Sequence, residues 1–311
     1  MAKVSVIVPV YNTHNTLIDC LSNLVNQSLQ DIEIITVNDG STDDSYDILL
    51  ECERQFPEKM MVIDLEENVG VGGARNVGLM YASGDYIGFC DSDDVVDTTM
   101  YEKLYREASL NNLDMVDCGY LDERDGKAYL RTGDNVIGEL DAAKRSELIA
   151  TGGYIFSRIY KREIWSEIQF RTPVILEDME TLMMVFMKCE RIGSVKEILY
   201  KYRDNSGSLS KMIEPKKYHH AVVSAIAAIR DTVMKHEKYD EVQEAVEYSL
   251  THLCAIGVVN TYNYKNALTT KERECMREEL LGFRKSLIKI DIESNKYSVA
   301  KIDRQDREVL G

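Results

Sequence analysis

The sequence has no long apolar run, no paired-cysteine motif and no excess of basic residues. Its 311 residues include 37 Lys and Arg against 53 Asp and Glu, which gives a formal net charge of −16. Nucleic acids are held mainly by Lys and Arg, so this balance excludes a broad nucleic-acid-binding surface. A small anionic substrate would need local help from a metal ion or a well-placed arginine.

Neither the cysteines nor the N-terminus predict export. The seven cysteines are scattered singly, which is typical of a reduced compartment rather than of a disulfide scaffold or a zinc site. No apolar stretch reaches the roughly 18 residues that a membrane helix needs. The N-terminal apolar run is short and interrupted by Pro9, which indicates a buried strand rather than a signal peptide. We therefore expect a soluble, cytoplasmic protein.

Short apolar segments alternate with amphipathic ones through the first part of the chain. The apolar segments predict strands at 4–8, 32–37, 61–65 and 86–90. Helix caps are expected at Asn15 or Thr16 and at Ser41 or Thr42, and a glycine-rich turn is expected before a helix that ends near Tyr81. This alternation predicts an α/β fold with a mainly parallel sheet and helices on both faces.

The second half changes character after about Met212. Before that point we expect a hairpin or loop at 119–138, strands at 115–118, 154–160 and 195–202, and helices that start near 98, 141 and 177. Long amphipathic stretches at 215–264 and 270–288 follow, without a further strand pattern. The sequence therefore predicts an α/β domain at 1–211 and an α-helical extension at 212–311.

Polar clusters follow four of the predicted strands directly, at 11–12, 38–40, 68–75 and 91–94. Ligands of open α/β sheets bind beyond the carboxyl ends of the strands. Asp91 and Asp93 would repel each other there, and a divalent cation with a preference for oxygen ligands, Mn²⁺ or Mg²⁺, would relieve that repulsion. The alternative is an aspartate-rich helix cap.

The other polar segments each allow a functional and a structural interpretation. Asp39 could accept a hydrogen bond from a uracil imide or serve only a βα turn, and Arg75 after the glycines could contact a nucleotide. Neither a dinucleotide-binding nor a Walker A pattern is present. Asp178 could be a general base or part of an acidic first helical turn with Glu177. The loop that contains Arg203, Ser206 and Ser208 could close over a diphosphate or be a plain turn.

In combination, these segments resemble family 2 glycosyltransferases of the bacterial surface-glycan type, which have the GT-A nucleotide-diphospho-sugar transferase fold. The resemblance covers roughly residues 3–210. Its motifs are VIVPVYN at 6–12, VNDGSTDDS at 37–45, NVG at 68–70 with ARNVG at 74–78, and GDYIGFCDSDD at 84–94. The pair Glu177-Asp178 and the segment from Tyr202 to Ser208 match in the same order.

The resemblance implies a UDP-sugar donor, a saccharide or lipid-linked acceptor, and inversion at the anomeric carbon. Asp178 would be the catalytic base, Asp93 and Asp91 would hold the metal, and Glu177 would contact the donor sugar or the acceptor. The implied nucleotide site comprises Pro9, Val10, Tyr11, Asp39, Arg75, Asp91, Ser92 and Arg203. Many members have a metal-binding His near Tyr202, whereas this sequence has Arg203 and serines there.

Two other functions remain open from the sequence. The Asp91-x-Asp93-x-Val95 segment also resembles the nucleophile motif of haloacid dehalogenase-type phosphatases, in which Asp91 would attack phosphorus. A non-catalytic nucleotide-sugar-binding subunit would keep the donor site without turnover. The amphipathic segment 273–289 could contact a membrane surface or a partner, or it could simply pack on the main domain.

Overall fold

The computed structural model describes residues 2–205, 214–263 and 267–301. The chain forms two compact units. The first, the sheet unit, comprises residues 1–140, 153–181 and 188–206, and the second, the helical unit, comprises 141–152, 182–187 and 207–311. The predicted domain boundary at 211 and 212 lies outside the described residues, and it stays a prediction.

Strands and helices alternate from β1 to β4 in the described chain, both kinds of element continue to β10, and only helices follow. The strands are β1 Val4–Val10, β2 Ile32–Asn38, β3 Met60–Asp64, β4 Tyr86–Phe89, β5 Val95–Val96, β6 Met115–Asp122, β7 Lys127–Tyr129, β8 Gly138–Glu139, β9 Arg158–Lys161 and β10 Arg191–Tyr202. The α-helices are α1 His14–Val25, α2 Ser45–Gln55, α3 Gly70–Tyr81, α4 Met100–Asn111, α5 Ala142–Thr151, α6 Glu177–Lys188, α7 Pro215–Asp231, α8 Tyr239–Asn263, α9 Thr270–Leu287 and α10 Lys296–Lys301.

The strands form one sheet in the order β3-β2-β1-β4-β9-β6-β10-β5, with β7 beside β6 and β8 beside β10. Strands β1 to β4, β6 and β10 run parallel, because β9 pairs antiparallel with both β4 and β6. Their carboxyl ends therefore share one edge. The strand order reverses between β1 and β4, which is where ligands of such sheets bind. The predicted parallel sheet and the hairpin at β6 and β7 are confirmed.

The glycine-rich segment is the first turns of α3 rather than a turn before it. Glycine costs helix stability, but here close packing requires it. A Cβ at Gly72 would lie 2.5 Å from the carbonyl oxygen of Arg171, and one at Gly78 would lie 2.5 Å from Cγ2 of Ile7. Tertiary contact thus overrides local propensity, and α3 lies directly against β1 and the segment before α6.

The predicted helix caps are wrong at both sites. Helix α1 begins at His14, so Asn15 and Thr16 lie inside it, and α2 begins at Ser45 after Asp44. Ser41 and Thr42 instead form hydrogen bonds that connect the loop after β2 to the loop after β1. The Asn12 N–H donates to Ser41 Oγ at 3.1 Å, and the Thr42 N–H donates to Asn12 Oδ1 at 2.7 Å. These contacts between distant segments have no signature in the local sequence.

The helical unit is built around α8, which contacts α5, α7, α9 and α10. The carboxylate of Glu247 on α8 is fully buried and accepts the N–H groups of Lys289 at 3.0 Å and Ile290 at 2.8 Å, just after α9. The predicted helices of the C-terminal part are confirmed. Among the helices described, none is long and apolar enough to cross a bilayer. Peripheral contact through 273–289 stays a prediction.

Candidate active site

The candidate site lies at the carboxyl ends of the parallel strands of the sheet unit. Loops after β1, β2, β4 and β10 meet the first turns of α3 and α6 at this edge. The register places Val10 at the end of β1 beside Asn38 at the end of β2. The polar clusters that the sequence places after separate strands are therefore neighbours in the fold.

The loop after β4 contains three aspartates that crowd one another. Asp94 is 1% exposed, and it accepts the Tyr200 hydroxyl at 2.5 Å and the Arg203 N–H at 2.9 Å. Burial raises the pKa of Asp93 above its ordinary value, and the neighbouring Asp91 charge adds to the effect. Burial also raises the pKa of Asp94, and the charges of Asp91 and Asp93 add to the effect. The loop thus concentrates negative charge that a cation would neutralise.

The donor atoms of this loop fit a hard divalent cation. Carboxylate oxygens are the ligands that Mg²⁺ and Mn²⁺ prefer. Asp94 accepts two hydrogen bonds from the protein itself, whereas among the described residues Asp91 Oδ1 accepts from Arg75 and Asp93 Oδ2 accepts only a long contact of 3.5 Å from Asn205. Within residues 2–205, 214–263 and 267–301, no group of three or more His, Cys, Asp or Glu side chains gathers as a metal site. A cation here would need oxygen ligands from a substrate, and diphosphate supplies them.

Arg75 on α3 is buried between the end of β4 and the start of α6. It is 5% exposed, and it donates from Nη2 to Asp91 Oδ1 at 2.9 Å and from Nη1 to Glu177 Oε1 at 2.5 Å. Its Nε has no hydrogen-bond partner among the residues that the structure describes. The sequence indicates a nucleotide contact for Arg75. In the structure, the Arg75 guanidinium lies between two acidic side chains and bonds to both. Its contact with a nucleotide stays a prediction.

Glu177 and Asp178 open α6 with different environments. Leu176 before them has φ 60°, a left-handed conformation that is uncommon for a branched side chain. Glu177 is buried and forms an ion pair with Arg75, whereas Asp178 is partly exposed. Burial raises the pKa of Asp178 to about 7, and the Glu177 charge adds to the effect. A carboxylate with this pKa can accept a proton near neutral pH.

The predicted base-binding residues lie at the ends of β1 and β2 or just beyond them. Pro9 and Val10 are buried within β1, whereas Tyr11 just beyond it is 41% exposed. Asp39 is buried, which raises its pKa, and its Oδ1 accepts the Val69 N–H at 2.7 Å. The Gly70 N–H also acts on this carboxylate and lowers its pKa, and a carboxylate can accept further hydrogen bonds. Tyr11 thus offers a ring to a base and Asp39 offers an acceptor beside it.

Two further predicted nucleotide contacts have protein partners. Ser92 is buried, and its carbonyl oxygen accepts the Thr16 hydroxyl at 3.4 Å. Arg203 donates from Nη1 to Asp19 at 3.0 Å and is partly exposed. Ser206 and Ser208 of the same predicted loop lie outside the described residues. The assignments of Ser92 and Arg203 to a nucleotide stay predictions.

Sequence reasoning missed Tyr200, whose hydroxyl supports the acidic loop. Tyr200 lies in β10 and donates to Asp94, and it accepts the Asp91 N–H at 3.3 Å. The tyrosine at the end of an apolar strand was the available signal. The partner could not be predicted, because the two residues are 106 positions apart.

The fold is that of the GT-A sugar transferases. The crystal structure of S. aureus TarS 1-349 in complex with UDP-GlcNAc matches with a TM-score of 0.75 and 21% identity over 99% of this chain and 90% of that chain. Residues 5–175 match the family described as "Glycosyl transferase family 2". The chain belongs to glycosyl transferase family 2.

Curated relatives share this family at higher identity. "Glycosyltransferase GlyA" of Streptococcus pneumoniae serotype 4 is 32% identical over 285 residues, which are 85% of this chain and 40% of that protein. "Uncharacterized glycosyltransferase EpsJ" of Bacillus subtilis is 34% identical over 222 residues, which are 67% of this chain and 63% of that protein. The chain thus spans less than two thirds of the length of these two relatives.

Proposed function

We propose that the chain is a glycosyltransferase that moves a sugar from a UDP-sugar to an acceptor hydroxyl, with inversion at the anomeric carbon. The observation that carries the proposal is the meeting of Tyr11 and Asp39 with the Asp91 loop and Asp178 at one sheet edge. The similarity to TarS, which was crystallised with UDP-GlcNAc, supports a UDP-linked donor. Family membership favours sugar transfer over phosphatase-like hydrolysis.

Each end of the donor has a candidate partner. Uracil would stack on Tyr11 and donate its imide N–H to the carboxylate of Asp39. Asp93 and Asp91 would hold Mn²⁺ or Mg²⁺, which when bound neutralises negative charge on the diphosphate leaving group. Arg75 fixes the orientation of Asp91 from the other side.

Asp178 would act as the base on the acceptor. Its partly exposed carboxylate takes the proton of the acceptor hydroxyl as that oxygen attacks the anomeric carbon and the bond to the UDP oxygen breaks. The proton ends on Asp178 and the electron pair leaves with UDP. No second nucleophile is needed, which suits a single displacement with inversion. The acceptor would be a saccharide or lipid-linked saccharide of a surface polysaccharide or glycolipid.

The test is UDP release from a panel of UDP-sugars, with and without saccharide acceptors, by wild type and by Asp178→Asn. We expect wild type to release UDP and the variant to lose at least about a hundredfold in rate, the usual contribution of a general base. Both should bind UDP equally. Equal turnover by the two proteins would remove Asp178 from the mechanism, whereas UDP binding without turnover would support the non-catalytic subunit.

A further inference from the structure

The ion pairs of Arg75 divide the acidic residues around it into two classes. Asp91 and Glu177 each accept one N–H group of the guanidinium, at 2.9 and 2.5 Å. Asp178 makes no ion pair and accepts no hydrogen bond from another side chain among the described residues. One cation thus lies among three carboxylates and bonds directly to two of them.

The start of α6 is held close to α3, which fixes this division. A Cβ at Gly72 would lie 3.1 Å from Cγ of Glu177, so the glycine makes room for that side chain. The guanidinium carbon of Arg75 lies 5.4 Å from the centre of the Phe170 ring, which limits its movement on another side. Successive residues of a helix point about 100° apart, so Asp178 points away from the direction that Glu177 takes.

Loss of the Glu177 carboxylate would leave a buried guanidinium N–H group without an acceptor. An unpaired buried charge is costly, and the chain therefore rearranges to pair it. Asp178 is the adjacent residue, and no other side chain in the described part of the chain forms a hydrogen bond with it. Pairing with Arg75 would turn the Asp178 side chain away from the acceptor. The adjacent positive charge would also lower its pKa and so weaken it as a proton acceptor.

We propose that Glu177 is a positioning residue, which occupies Arg75 and thereby keeps Asp178 free to act as the base. The inference rests on the proposed function of Asp178. It differs from the sequence-based assignment of Glu177 to a sugar contact, because Glu177 is buried and its carboxylate faces Arg75. Its effect should fall on the rate of the chemical step and not on donor binding.

The test compares Glu177→Ala and Glu177→Gln with the same substitutions of Glu180. Glu180 also lies in the first turns of α6, is buried, and forms an ion pair with Arg171. It is therefore a matched control for the loss of a buried Arg–Glu pair. We expect Glu177→Ala to lower kcat by more than about tenfold, while the UDP-sugar KM changes less than about twofold. Glu177→Gln keeps an oxygen for Arg75 and should lose less, and the Glu180 variants should keep wild-type kcat.

Crystal structures of Glu177→Ala and Glu177→Gln give a readout independent of activity. We expect Arg75 to lie within hydrogen-bond distance of Asp178 in the alanine variant and not in the glutamine variant. If Glu177→Ala does not fold, the test is the comparison of the two glutamine variants. Glu177→Gln should then lower kcat, by less than expected for Glu177→Ala, and Glu180→Gln should not. Unchanged kcat, equal losses in both series, or an Arg75 that leaves Asp178 unpaired overturns the inference. Wild-type protein that transfers no sugar overturns the proposed function instead, and the Arg75 position still tests the pairing.

Discussion

The hydroxyl of Tyr200 lies 2.5 Å from Oδ2 of Asp94 and joins the last long strand of the sheet to the acidic loop after β4. Both residues are buried, and the Arg203 N–H completes the contacts of the same carboxylate. Both oxygens of Asp94 therefore accept hydrogen bonds from the protein, which leaves Asp91 and Asp93 as the candidate ligands of a cation. Tyr200 thus contacts this loop twice, through the Asp94 carboxylate and the Asp91 N–H.

Tyr200→Phe should destabilise the protein and weaken metal-dependent nucleotide binding together. A buried carboxylate that loses a donor costs about 1–3 kcal/mol in the free energy of unfolding. Denaturant unfolding and titration with UDP and Mn²⁺ would measure the two effects. The control is Tyr86→Phe, which removes a buried hydroxyl that donates to the Leu113 carbonyl at 2.9 Å. Unchanged UDP affinity in Tyr200→Phe would show that this bond does not shape the loop.

Asp39→Asn should impair uracil recognition with little effect on the fold. The asparagine oxygen can still accept the Val69 N–H, but its amide group would face the uracil imide donor. We expect UDP affinity to fall by about tenfold, the equivalent of one charge-assisted hydrogen bond. The comparison is Asp64→Asn, since Asp64 accepts the Asn38 amide at 2.7 Å in the neighbouring strand. Equal UDP affinity in Asp39→Asn and wild type would exclude Asp39 from base binding.

The sugar-transfer rate should rise with pH through the pKa of Asp178, which is about 7 in the folded protein. A general base acts when it is ionised, so kcat should climb between about pH 6 and pH 8 and then level off. The measurement is the pH profile of UDP release at saturating donor and acceptor. A rate that does not change over this interval would contradict a base with that pKa.

The same pKa has a consequence for stability. The folded-state pKa of Asp178 is raised above its ordinary value of 3.8, so the stability linked to its proton is present at low pH and lost as pH rises through about 7. Asp178→Asn removes this loss. We expect the variant to be more stable than wild type by about 1–2 kcal/mol at pH 8 and equally stable near pH 4. A destabilised variant at pH 8 would show that the ionised carboxylate is well solvated.

Much of the fold could be predicted, because buried parallel strands are continuous apolar runs and alternate with amphipathic helices. Strand β1 is buried at every residue and was predicted in its first five positions. The clustering of Asp39 and Asp91 at one edge follows from that alternation and from the rule for strand ends, whereas Asp178 opens a helix and is assigned to the site by the family resemblance. The start of α1 could not be predicted, since Asn12 and its loop contacts replace a side-chain cap.

The partners of individual side chains could not be predicted. Arg75 and Glu177 are 102 positions apart, and no local pattern indicates that they meet. The glycines before Arg75 suggest a phosphate-binding turn, whereas Gly72 is required because α3 packs against the carbonyl oxygen of Arg171. Contacts between segments far apart in sequence decide which carboxylates of the site are engaged and which remain free.

The most direct test of the metal-assisted donor site is calorimetric titration of UDP, with and without Mn²⁺, into wild type, Asp93→Ala and Asp134→Ala. Asp134 is 89% exposed, so its loss changes the net charge equally without touching the site. We predict Mn²⁺-dependent binding in wild type and Asp134→Ala and its loss in Asp93→Ala. UDP binding that is indifferent to Mn²⁺ and to Asp93, or no binding by wild type, would contradict the assignment of this sheet edge to a metal-held nucleoside diphosphate.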